Sequence, residues 1–298
     1  VHALSTAACD DSEPCTVPDS CTGGICVGVK TSQCPICDLL FGASAGKLTQ
    51  FQIGSSGKFG QGIDVDGDPK TCAPEANCAD GVDNSAAVLA GFLNQPLING
   101  VNQGTLTFVA EFAGYVGQGV PFTLNLYYAE MAAESKLAGC KANADVCKWL
   151  IGQSALSAQC KPKFSFSDAL VKDGKLQAGT KDTVFAMDAD LLGAKNATLY
   201  VKGARIQGIV EFGADKKTIV ALQGVLGGAV PKTAVVDMVN AVDVGMFGGL
   251  GLSKKEVLEL IDQILALDID VDGDGSKESA SIGIRFSAVG AVLLGTVK

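Results

Sequence analysis

Histidine is almost missing from this 298-residue chain, whose one copy, His2, sits beside the start. That removes the usual buried general base, the Ser-His-Asp arrangement and the histidine-ligated zinc site. Basic residues are also outnumbered, 23 against 32 acidic, for a formal charge of -9. Such a balance lacks the electrostatic footing for nucleic acid and favours cations as small partners. Aromatics make up only 6%, with one Trp and four Tyr, too few for the two aromatic girdles of an outer-membrane barrel. The longest apolar run, Phe286 to Val297, is about half the roughly 20 residues a membrane-crossing helix needs, so no transmembrane segment is expected. What the chain does have is 47% hydrophobic residues and 37 glycines, the composition of a folded, glycine-punctuated, β-rich protein with a sizeable core.

The eleven cysteines, at 9, 15, 21, 26, 34, 37, 72, 78, 140, 147 and 160, avoid the last 138 residues entirely. Between Cys9 and Cys26 they recur among Asp, Pro, Ser and Gly, the spacing of disulfide-stapled loops rather than of a zinc module. With a first residue of Val1, this reads as the mature form of an exported protein, extracellular or on the outer cell surface. Cys34-Pro-Ile-Cys37 has redox-dithiol spacing, but no βαβ pattern surrounds it, so a structural role is expected.

Residues 1–38 form a separate cysteine-rich head with too little core to fold unstapled, and residues 39–298 form one β-dominated domain. Strand patterns run over Leu48–Ile53, Thr105–Phe112, Pro121–Tyr128, Lys163–Phe166, Thr183–Asp188, Ala197–Phe212, Thr218–Val225 and Ser281–Val289. Within the longest, Gly203 and Gly208 interrupt the period of two and suit bulges or bends. A two-sheet β-sandwich with a few inserted helices is the expected fold. The helices fall over Asn84 to about Leu93, Thr233–Val242 and Ser253–Leu267, the last opened by a capping box of Ser253 and Glu256.

Chemistry concentrates in two Asp-Val-Asp-Gly-Asp segments, at 64–68 and 270–274. In the second, spanning 268–279, alternating acids in a turn place carboxylates on one concave side, where a hard oxygen-seeking cation relieves their repulsion. Counted from Asp270, the ligands are Asp270, Asp272 and Asp274, then the Ser276 carbonyl and Glu278, with Asp268 as a further acid. An EF-hand register from Asp268 fails, because its twelfth position is Ser279 where a bidentate Glu is needed. Calcium in a helix-loop-strand site is the expectation. The first loop, 64–84, has Asp64, Asp66 and Asp68 but then Pro69, so it must close differently. A Cys72–Cys78 disulfide would bring Asp80 and Asp83 back to the three aspartates. The plain alternative is an acidic loop in which Asp83 or Asn84 caps the next helix.

The D-x-D-x-D-G loop resembles those of thrombospondin type 3 repeats and, less closely, dockerins; Asp80-Gly-Val-Asp83-Asn84 is similar to the D-G-x-x-D-N phrase of the former. Residues Cys9 to Cys26 resemble the short C-D-D-G-x-P-C-T-x-D-x-C-x-G-x-C modules of bacterial surface proteins and lipoproteins. Crossed pairing there, Cys9 with Cys21 and Cys15 with Cys26, is one of three connectivities that four cysteines permit. Together these features resemble secreted proteins and lipoproteins of predatory and soil-dwelling Gram-negative bacteria, a group with no activity to carry over. The expected role is a non-enzymatic, calcium-stabilised surface protein that self-associates or joins other surface proteins in adhesion or assembly. A lipid- or glycan-binding sandwich is the alternative, and a carboxylate-based hydrolase comes third.

Overall fold

The computed structural model describes residues 16–22, 25–30, 37, 39–74, 81–141, 146–157, 159–188, 198–241 and 253–297. In the head, β1 (Thr16–Thr22) and β2 (Ile25–Lys30) pair as an antiparallel hairpin with Cys21 opposite Cys26. The head's side chains, and with them the crossed pairing, lie outside the described residues.

The remaining strands do not form a sandwich. Eight of them, β3 (Ala45–Ile53), β4 (Phe108–Ala113), β5 (Phe122–Met131), β7 (Phe164–Lys172), β8 (Lys175–Ala178), β10 (Thr198–Phe212), β11 (Ile219–Pro231) and β12 (Ser279–Gly290), pair antiparallel in that order. The ring shuts where β5 meets β7, Leu124 opposite Phe166 and Leu126 opposite Phe164, and where β12 meets β3. The fold is therefore an eight-stranded antiparallel barrel, which corrects the sandwich expectation. Alternating strands serve both architectures, and closure depends on one long-range pairing that leaves no local signal. Among the described residues, three strands besides the head hairpin lie off the ring. The two strands β6 (Lys148–Ile151) and β13 (Val292–Thr296) pair in parallel beside β5, and β9 (Val184–Asp188) lies along β10.

Side chains fill the barrel. Leu48, Ala110, Leu124, Leu176, Leu222 and Phe286 line a residual cavity of only about 20 Å³. Aromatic clusters pack at two levels along β4. Phe108 meets Tyr128 at 4.7 Å, and four residues on, Phe112 stacks on Phe122 at 4.7 Å. At a rise of about 3.3 Å per residue these levels lie roughly 13 Å apart. A glycine makes room between walls: a Cβ on Gly224 would sit 2.4 Å from the Gln207 carbonyl and 2.9 Å from the Phe286 ring. Outward positions such as Lys175, Gln177, Gln207, Glu211 and Gln223 are exposed. They share the outer wall with the exposed Ile209 and Val220.

Among the described residues four α-helices flank the ring: α1 (Ala90–Gln103), α2 (Ala133–Leu137), α3 (Lys232–Ala241) and α4 (Lys254–Ile264). None is long and apolar enough to cross a membrane. The Ser253–Glu256 capping box is formed. The strand interruption at Gly203 is a bulge with φ +61°, whereas Gly208 stays in register opposite Gly224. Cys37 bonds Cys160 across the fold, so Cys34-Pro-Ile-Cys37 is not a dithiol pair.

Candidate metal centres

Both acidic loops meet the start of β12. Six consecutive residues are identical in them, Ile63-Asp64-Val65-Asp66-Gly67-Asp68 and Ile269-Asp270-Val271-Asp272-Gly273-Asp274. Their turns are wired alike. Asp64 Oδ1 accepts the Gly67 N–H at 2.6 Å as Asp270 Oδ1 accepts that of Gly273 at 2.7 Å. Asp66 accepts from Asp68, and Asp272 from Asp274. Asp68 accepts from Lys70, and Asp274 from Ser276. These turns need a left-handed residue at Gly67 and Gly273, with φ of +85° and +79°.

The closing acid makes the same contact from different distances in sequence. In the second loop Glu278 Oε1 accepts the Val271 N–H at 3.0 Å; in the first, Asp83 Oδ2 accepts the Val65 N–H at 2.8 Å. Carboxylate oxygens of Asp270, Asp272 and Glu278 thereby converge within 4.8 Å, as do those of Asp64, Asp66 and Asp83.

Pro69 accounts for the difference. Its counterpart, Gly275, donates to Asp270 Oδ2 at 2.8 Å, a bond that proline cannot make. The first loop instead runs on through Cys72, which is disulfide-bonded, and returns over Pro69 at Gly81. A Cβ on Gly81, whose φ is +63°, would lie 2.6 Å from the Pro69 Cα, so only glycine lets the returning chain deliver Asp83.

The other predicted ligands fall outside these groups. Asp68 and Asp274 are exposed and hold turns. Ser276 is exposed, with its N–H on Asp274. Asp268 points away from the second group, taking the Ser281 N–H at 2.7 Å and its hydroxyl at 2.5 Å. Asp80 and Cys78 lie outside the described residues.

Burial separates the two sites electrostatically. Asp83 is 2% exposed, and that burial, with Asp66 nearby, pushes its carboxyl up to about 7 against the opposing bond from Val65. Asp268 is also pushed up by burial. The half-buried Asp270 carboxyl is held below its ordinary value by the Gly275 and Gly273 N–H groups. Glu278 Oε2 is shielded from solvent and has no hydrogen-bond partner among the described residues.

Sequence reasoning missed two anchors. Asn84 does not cap the following helix. Its Nδ2 donates to the carbonyls of Gly54, Ser56 and Gln61, and its Oδ1 accepts from Gly283 N–H, which binds the first loop to β12. From β10, Arg205 Nη2 donates to the Asp64 and Val65 carbonyls at 2.6 and 2.8 Å. Neither has a local motif, since both act on backbone distant in sequence.

Comparison with models of protein families, with curated proteins and with solved structures gives no match. Each donor group is made of carboxylates alone, so both could hold a hard cation.

Proposed function

We propose that this protein is a non-enzymatic structural or adhesive component of the extracellular space or outer cell surface, held in shape by calcium at two equivalent loops. The observation that carries the reading is the shared wiring of those loops: the same six residues, the same turns and a closing acid on the same peptide N–H. All-oxygen donors in flexible, glycine-turned loops suit calcium better than thiolate- or imidazole-seeking metals. The resemblance to thrombospondin type 3 loops points the same way.

Assembly is supported by apolar side chains left open on the surface. Val292 and Leu294 stand out from β13 at 46% and 45% exposure, and Ile209 and Val220 from the barrel wall at 50% and 53%. The disulfides favour an oxidising compartment. The lipid- or glycan-carrying alternative has less support, since a cavity of about 20 Å³ is far below the several hundred a small ligand occupies. The hydrolase reading has none in the clustered acids, which are bonded into their own turns.

The test is thermal melting with light scattering, on oxidised protein with calcium and then with a chelator. A melting temperature that falls on chelation, with a drop in particle size, is the expected result. Unchanged melting and size would reject both the metal and the assembly role.

A further inference from the structure

Cys140 and Cys147 occupy the two stems of one excursion between α2 and β6. A single buried residue, Ser135, holds both stems: its carbonyl accepts the Cys140 N–H at 3.2 Å and its hydroxyl the Lys148 N–H at 2.8 Å. The sulfurs cross. Cys140 Sγ lies 3.9 Å from the Val146 carbonyl, and Cys147 Sγ lies 4.0 Å from the Lys141 carbonyl. Each sulfur thus touches the residue next to the other cysteine, on the opposite stem. Both are reduced in this structure, with Cys140 partly exposed and Cys147 buried.

We propose that Cys140 and Cys147 are joined by a disulfide when the protein meets a small-molecule disulfide such as oxidised glutathione. The inference rests on these contacts and not on the proposed function. Cys140, the more accessible, gives up its proton to solvent and attacks one sulfur of the oxidant, whose S–S bond breaks and whose departing thiolate is protonated. The Cys147 thiolate then attacks the Cys140 sulfur of the mixed disulfide and expels the second thiol. The protein loses two electrons and two protons, and the oxidant becomes two thiols.

The bond would secure the strand that begins beyond Cys147. The Cys147 carbonyl accepts the Val292 N–H, and β6 carries the buried Trp149 and Ile151 into the ladder with β13. Trp149 in turn covers Lys47, a wholly buried lysine whose Nζ sits 5.5 Å from the indole centroid. The pairing also locates the odd cysteine. With Cys37–Cys160 and Cys140–Cys147 formed and Cys72 bonded, the unmatched thiol falls among Cys9, Cys15, Cys21, Cys26, Cys34 and Cys78.

Peptide mapping tests this on the whole chain. Protein equilibrated with reduced and oxidised glutathione is alkylated in denaturant and cut with trypsin, which separates Leu137–Lys141 from Ala142–Lys148. The expected product is one species containing both peptides, split by reductant. Recovery of both as alkylated peptides, or of either joined to glutathione or another cysteine, would overturn the proposal. The oxidised wild type should also melt on the order of 5 °C above the Cys140→Ala/Cys147→Ala variant. Equal melting would overturn the securing role.

Discussion

The first acidic loop takes twenty residues, Asp64 to Asp83, over what the second completes in nine, Asp270 to Glu278. Both end with three carboxylates converging and a closing acid on a valine N–H. Pro69 forces the detour, and the detour changes the environment of the closing acid. Asp83 is buried, whereas Glu278 is only partly so. The same local sequence thus yields two sites whose first two acids share one burial and whose closing acids alone differ. A cation at the first would be coupled to packing through Asp83, and a cation at the second mainly to the order of its own turn.

Five substitutions break or sharpen that contrast. Asn84→Ala should be the most damaging, by about 4 kcal/mol in urea unfolding, because four backbone groups, two of them buried, lose their partner at once. No single residue of the second loop has a comparable role.

Asp83→Asn comes next and depends on pH. The Asp83 carboxyl moves from an ordinary 3.8 to about 7 on folding, so between those values the folded chain keeps a proton that the unfolded chain has lost. Wild-type stability in chelator should therefore fall as pH rises through that window, by at most about 4 kcal/mol, and the variant should lack that fall. Asp270 acts with the opposite sign: its lowered value contributes above the ordinary carboxyl range and is lost on acidification. Urea melts of the wild type and of Asp83→Asn, carried from neutral pH to below the ordinary carboxyl value, separate the two: the Asp83 effect lies within the window and the Asp270 effect below it.

Gly81→Ala should cost about 3 kcal/mol, from a left-handed φ together with collision with Pro69, and should weaken cation binding at the first loop only. The smallest effect is the most direct comparison. Gly67→Ala and Gly273→Ala meet open space, so each should cost about 1 kcal/mol, the penalty of the left-handed turn alone. Unequal values in thermal melts would show that the loops are not equivalent.

Much of this was legible in the sequence. The alternating acids mark both loops, and the capping box at Ser253 and Glu256 formed as its spacing implies. Strand positions came from the alternating pattern, with β11 running on to Pro231 and β7 to Lys172. Short β6, β8 and β13 escaped notice because four or five residues carry too little periodicity. Barrel closure escaped because it depends on Phe122–Leu126 meeting Phe164–Ala169, a choice made by packing across the interior. Within each site, three of the expected carboxylates converge and the other acids do not join them. Asp268 looks like part of the acidic run, but the Ser281 hydroxyl and N–H draw it into the fold. Asn84 looks like a helix cap, but three carbonyls of the preceding loop compete more strongly for its amide.

The central claim is that both loops are the same cation-holding device. Its most direct test is to count bound calcium in chelator-stripped wild-type protein by equilibrium dialysis at neutral pH and millimolar calcium. Two ions per chain are predicted; one ion, or none, would contradict the equivalence.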